Sequence, residues 1–129
     1  MSREAITTQS APAAVGPYSQ ACSSVGGRSL YLSGQIPLDP ASGELISGPP
    51  AAQAERCMQN LEAVLSAAGL GFGQVVRCTI YLTDLADFGA VNEVYGRYFD
   101  DPPPARACVQ VSALPKGASV EIDAIAERS

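Results

Sequence analysis

Histidine is absent from all 129 residues. Any chemistry must therefore come from carboxylates, arginine, tyrosine, backbone groups and water. The absence removes Ser-His and Cys-His nucleophile systems and every histidine-containing metal site. The four cysteines (Cys22, Cys57, Cys78 and Cys108) are widely spaced and form no C-x-x-C pair. In a reducing compartment such cysteines read as small buried hydrophobes. Neither phosphate-cradling pattern, G-x-x-x-x-G-K or G-x-G-x-x-G, occurs. No metal and no cofactor is expected.

Two charged residues stand out, each inside a strand-like run near the end of the chain: Arg106 and Glu121. An arginine on a mixed sheet face can clamp a carboxylate through two parallel hydrogen bonds. A carboxylate nearby can orient or deprotonate water. A structural Arg-Glu ion pair in an interface fits the same spacing, and spacing alone does not decide. Gly16-Pro17-Tyr18-Ser19-Gln20 is a rigid turn that presents Tyr18, either to a ligand or to packing. Ser33-Gly34-Gln35 ends a strand. Gly34 permits close approach of backbone to a ligand, and an ordinary bulge explains it equally well. Asn92 lies in a helical segment, where asparagine is mildly unfavourable. It can bond a second helix or reach a neighbouring subunit.

The elements that must position these residues follow from periodicity. Ala21–Val25 and Ser29–Gln35 read as strands joined through Gly26-Gly27, which supply the positive φ of a tight turn. A further short strand near Ala5 fits as well. Ala11–Gly16 and Pro37–Pro50 read as loops. Ala51–Ala68 is the clearest helix, with Ala54, Cys57, Met58, Leu61, Val64, Leu65 and Ala68 on one face and Gly69 as its stop. Val75–Leu82 alternates as a strand, with Val76, Cys78, Ile80 and Leu82 on one side. Leu85–Phe99 is the second helix, ended by Pro102-Pro103-Pro104. Ala105–Val111 and Val120–Ala126 are the closing strands. In the first, Ala107, Val109 and Val111 share one face, and Arg106, Cys108 and Gln110 the other.

This order predicts an α/β sandwich, one domain over residues 1–129, with a mixed sheet and two helices on one face. The aliphatic faces of the late strands are expected beneath the helices. The uncovered face then carries Arg77, Tyr81, Arg106, Cys108, Gln110, Glu121 and Asp123. Strand-helix-strand connections imply some parallel pairing, which ordinarily needs cover on both faces. Self-association is a natural way to provide it.

Thirteen acidic against eight basic side chains give a net charge of −5. That field repels phosphate backbones, so no nucleic-acid partner is expected. An anionic substrate would need a local cation such as Arg106. Met1–Glu4 is followed by no long apolar run, and no stretch is long enough to cross a bilayer. A cytoplasmic protein without a membrane partner is the expectation.

Several motifs occur in a fixed order: Gly16-Pro17-Tyr18-Ser19-Gln20, Ser33-Gly34-Gln35-Ile36-Pro37, Asn60-Leu61-Glu62-Ala63-Val64-Leu65, Val91-Asn92-Glu93-Val94-Tyr95, Pro104-Ala105-Arg106, Leu114-Pro115-Lys116-Gly117 and Val120-Glu121-Ile122. Each is weak alone, but the ordered set spans nearly the whole chain and is highly specific. In this set the chain resembles the reactive-intermediate deaminase (Rid) family, in its archetypal deaminase branch.

The resemblance implies a chorismate mutase-like fold, a homotrimer and three clefts between subunits. It implies hydrolysis of small enamine or imine substrates such as 2-aminoacrylate and 2-aminocrotonate, released by pyridoxal-phosphate enzymes, to 2-oxo acids and ammonia. By resemblance Arg106 clamps the substrate carboxylate and Glu121 positions the attacking water. Tyr18, Ser33 and Gly34 complete the substrate-binding set with Cys108, which contributes through its backbone. Asn92 supports the site from behind the groups that touch substrate. One departure is Pro103, where members often carry an aromatic residue before Pro-Ala-Arg; it leaves the preferred substrate side chain open. A different class stays open: a non-catalytic sensor of 2-oxo acids, which would keep Arg106 without needing Glu121. A ribonuclease or translation-inhibitor role, attached to some members, fits poorly with an acidic chain lacking histidine.

Overall fold

The structure is a computed structural model that describes residues 2–129. The helical periodicity of the central segment becomes helix α1, Pro50–Ala67. Pro50 opens it with a preset φ and no wasted donor. Gly69, at φ 75°, closes it, and Leu70 N returns to Leu65 O at 2.9 Å. Its inner face buries Ala54, Cys57, Met58, Leu61, Val64 and Leu65 completely.

Six strands form one sheet: β1 (Glu4–Ile6), β2 (Ala21–Ser23), β3 (Ser29–Gln35), β4 (Val75–Leu82), β5 (Ala105–Gln110) and β6 (Val120–Glu127). Their spatial order is β1-β2-β3-β6-β4-β5. Only β4 and β5 pair in parallel; the other neighbours are antiparallel. Gly26 and Gly27, at φ 93° and 77°, turn the chain between β2 and β3. Helix α2, Phe88–Gly96, packs beside α1 on the same side of the sheet. Leu30, Ile80, Leu82, Val120 and Ile122 of the sheet meet Met58, Leu61 and Leu65 of α1 there, and all are essentially inaccessible. Each such side chain stabilises the fold by about 1.5–3 kcal/mol before entropy is counted.

The second helix is shorter than its pattern suggests. Leu85–Asp87 is a 3-10 turn capped by Asp84, which accepts from Ala86 N at 2.9 Å. Past Gly96 the chain leaves the helix, and Tyr98 and Phe99 meet Phe72 edge to face at 5.1 and 5.3 Å. Aromatic packing across elements prevails over helix continuation here.

Two strand phases differ from the sequence reading. In β4 a bulge between Val75 and Arg77 shifts the alternation by one residue. Val75 is therefore buried with Cys78 and Ile80, while Val76 is 44% exposed. In β5 the whole alternation is reversed. Arg106 pairs with Cys78, and Cys108 with Ile80, so both share the helix-covered side. Gln110 follows them and accepts from Leu85 N at 2.9 Å. Ala107 and Val109 take the open side, where Val109 is 41% exposed. On that side Arg106 meets Phe88, Asn92 and Tyr95 of α2.

Candidate active site

Glu121 projects from β6 on the open face, between the buried Val120 and Ile122. Its neighbour across β3 is Gly34. A Cβ at position 34 would overlap Glu121 Oε2 and stand 2.9 Å from Glu121 Cδ. Glycine is thus required so that the carboxylate can lie against bare backbone. The carboxyl is held above its ordinary range, first by partial burial and second by the charge of Asp123. Asp123, two residues along the same face, accepts from Thr79 N and Tyr81 Oη, each at 3.1 Å.

Tyr18, Gly34 and Glu121 line one cleft of about 330 Å³, with Ile36, Pro115 and Lys116 in its walls. Tyr18 is half exposed, at the mouth. Lys116 adopts φ 58°, and its Nζ donates to Gly43 O at 3.3 Å. Two larger hollows adjoin Tyr18, of about 590 and 470 Å³. The first is lined by uncharged residues only. The second contains Ser33, but the Ser33 hydroxyl is engaged in donating to Ser19 O at 2.6 Å. The smaller cleft holds the carboxylate and is the chemically equipped one.

Arg106 lies elsewhere. Its Nη1 donates to Asn92 Oδ1 at 2.5 Å, and its Cζ stands 5.1 Å from the Tyr95 ring and 5.4 Å from the Phe88 ring. It is on β5, two strands from β6, and on the opposite side of the sheet from Glu121. Two strand spacings alone separate them by roughly 10 Å. The sequence reading placed both on one uncovered face, and the reversed phase of β5 corrects it. Asn92 does meet Arg106. Cys108 accompanies Arg106 on the helix side, its thiol raised by burial and partly lowered by the Arg106 charge.

Three buried amides brace loops around the sheet, two of them at the cleft walls, and the sequence reading gave none of them a role. Gln20 accepts from Thr8 N at 2.7 Å and donates to Thr8 O, Ala11 O and Pro12 O. Asn60 donates to Leu38 O at 3.0 Å and Ile36 O at 3.4 Å, and accepts from Arg56 Nε at 3.1 Å. Gln53 accepts from Ser119 N at 2.8 Å and donates to Gly48 O. The signal was present for Asn60: a polar residue falling among Cys57, Leu61 and Val64 on an apolar helix face. Among the described residues no three His, Cys, Asp or Glu side chains come together as a metal site, and no helix is long and apolar enough to cross a membrane.

A family model described as "Endoribonuclease L-PSP" matches residues 8–128. The chain is 65% identical over 126 residues to Protein DfrA of Myxococcus xanthus, covering 98% of this chain and 96% of that one. It is 49% identical over 124 residues to the human 2-iminobutanoate/2-iminopropanoate deaminase, covering 96% and 89%. The chain belongs to the Rid family. Its fold superimposes on the crystal structure of RidA from an Antarctic Psychrobacter with a TM-score of 0.91 at 47% identity, covering 97% and 99% of the two chains. Escherichia coli TdcF with bound serine gives 0.91 at 43% identity, covering 98% and 99%. The Rid architecture expected from the motifs is thus present: a chorismate mutase-like mixed sheet with two helices on one face.

Proposed function

We propose that this Rid protein hydrolyses 2-iminopropanoate, 2-iminobutanoate and their enamine tautomers to 2-oxo acids and ammonia, in the cytoplasm. The observation that carries the reading is Glu121: a carboxyl with a raised proton affinity, lying on the bare backbone of Gly34 inside a small cleft. Relatives named as deaminases at about half identity support the same chemistry.

The separation of Arg106 from Glu121 supports a site completed by two copies of the chain, in a homotrimer of single-domain subunits. Arg106 of one copy holds the substrate carboxylate with the guanidinium edge that Asn92 does not occupy. Glu121 of the next copy orients water, accepts its proton as the oxygen adds to the C=N carbon, and returns that proton to the nitrogen. The tetrahedral carbinolamine then loses ammonia and leaves the 2-oxo acid. Tyr18 and Gly34 bound the substrate, and the backbone of Cys108 lies beside it. Positioning and charge pairing supply the rate.

The test is release of ammonia and 2-oxo acid from freshly generated 2-iminobutanoate, compared with the uncatalysed rate. Wild-type protein should accelerate it. Arg106→Ala should lose about 30- to 5,000-fold in kcat/KM, the equivalent of the roughly 2–5 kcal/mol carried by a desolvated charge-pair donor. No acceleration by the wild type would remove the deaminase reading.

A further inference from the structure

Phe88, Asn92 and Tyr95 sit at i, i+4 and i+7 of one helical face, at the start, centre and end of α2, and all three converge on Arg106. Two of the three are aromatic rings within 5.4 Å of the guanidinium carbon. We propose that Phe88 and Tyr95 are positioning residues: together they form an aromatic cradle that fixes the plane of the Arg106 guanidinium for its ligand. The proposal rests on the carboxylate-clamp reading of Arg106.

A guanidinium stacks on aromatic faces, and its edge carries the hydrogen bonds. Rings on the inner side and Asn92 at one nitrogen restrict its rotation and leave the remaining donors aimed outward. Without that restriction, Arg106 on an edge strand would lose side-chain entropy on each binding event. Tyr95 provides the second indication. Tyr95 is 4% exposed, and among the described residues its buried hydroxyl has no hydrogen-bond partner. A buried, unsatisfied hydroxyl is a cost. The contacts made by this residue are those of its ring, with Arg106 on one side and Phe99 at 4.8 Å on another.

Kinetics on 2-iminobutanoate generated in situ distinguish a cradle from mere packing. Phe88→Leu and Tyr95→Leu should each raise KM by about tenfold, a loss of about 1.4 kcal/mol, within the range of a desolvated cation–π contact. The clamp acts on ground state and transition state alike, so kcat should change by no more than about threefold. Tyr95→Phe keeps the ring and should restore wild-type KM. In an Arg106→Lys background, which lacks the planar group, Tyr95→Leu should add less than about a further twofold, because the ring then has nothing to orient. Unchanged KM in Phe88→Leu overturns the cradle. So does a full tenfold penalty that persists in Arg106→Lys, since the ring would then act independently of the guanidinium. Phe88 is only partly buried, so Phe88→Leu carries the test alone if Tyr95→Leu does not assemble. An Arg106→Ala variant with wild-type KM overturns the clamp itself. Loss in Arg106→Ala with normal KM in both leucine variants overturns the cradle only.

Discussion

Glu121 is half in the protein, with the bare backbone of Gly34 on one side and Asp123 two residues away on its own face. Burial and Asp123 raise its folded carboxyl above the ordinary 4.5. Between 4.5 and the raised value the native chain binds more protons than the unfolded one. Stability therefore falls as pH rises through that window, and the full cost is present above it. Glu121→Gln should remove that cost. We expect urea denaturation at pH 7.5 to show a gain of about 1 kcal/mol or less, reduced by the group's solvent exposure, and the gain to vanish below about pH 4. In the same variant turnover should drop by about 10²-fold. A loss of stability at pH 7.5 that disappears below about pH 4 would instead assign Glu121 a structural ion pair. Residue types made Arg106, Glu121, Tyr18 and Gly34 candidates but left a structural ion pair, a packed tyrosine and an ordinary bulge open; the ordered family motifs gave them their expected roles. The partners of Arg106 were not legible. Phe88 and Tyr95 read as ordinary packing positions until β5 is placed over α2.

At the scale of elements, the strands and helices were legible from periodicity, but the direction of one strand's side chains was not. β5 alternates Ala-Arg-Ala-Cys-Val-Gln, with no large aliphatic to mark the core side. It is an edge strand with parallel pairing to β4 only, and its register against β4 places Arg106 on the α2 side. The bulge at Val75 is similarly silent, since both Val75 and Val76 are apolar. Two substitutions probe how elements hold the cleft. Gly34→Ala places a methyl into the Glu121 carboxylate, the mobile end of a side chain, so the fold should yield cheaply. We expect a stability change within about 1 kcal/mol and a turnover loss of at least about tenfold, because small displacements of a catalytic group are costly. Normal turnover would show that the carboxylate position is not critical. Asn60→Ala removes a fully buried amide and leaves Ile36 O, Leu38 O and Arg56 Nε, all on partly buried residues, without it. It should cost about 1–3 kcal/mol in urea denaturation and speed amide exchange in the loop after β3. A neutral effect would mean that water replaces the amide.

For the molecule as a whole, the corrected phase of β5 strengthens the case for association. With Ala107 and Val109 on the open side beside Tyr31, Ile125 and Thr79, that face is more apolar than the sequence reading made it. Tyr31 and Val109 are 52% and 41% exposed in a single chain, as expected of an interface awaiting its partner. The same correction puts Arg106 and Glu121 on opposite sides of one sheet, so the proposed deaminase site draws Arg106 from one copy and Glu121 from another. Mixing decides this. Arg106→Ala and Glu121→Gln should each be nearly inactive alone. Unfolded together in equal amounts and refolded, they should form rings in which a site is intact whenever its Arg106 comes from the Glu121 variant and its Glu121 from the Arg106 variant. Random assembly of a closed ring makes about one site in four intact, so about a quarter of wild-type turnover should return. Separately refolded samples, mixed without unfolding, should stay inactive for as long as subunits do not exchange, and sedimentation should give the same trimer for every sample. If one chain carried both groups of a site, every mixed ring would be as inactive as its parents. No recovery in properly assembled mixtures would therefore refute the shared site, while recovery near a quarter would place the two residues on different subunits.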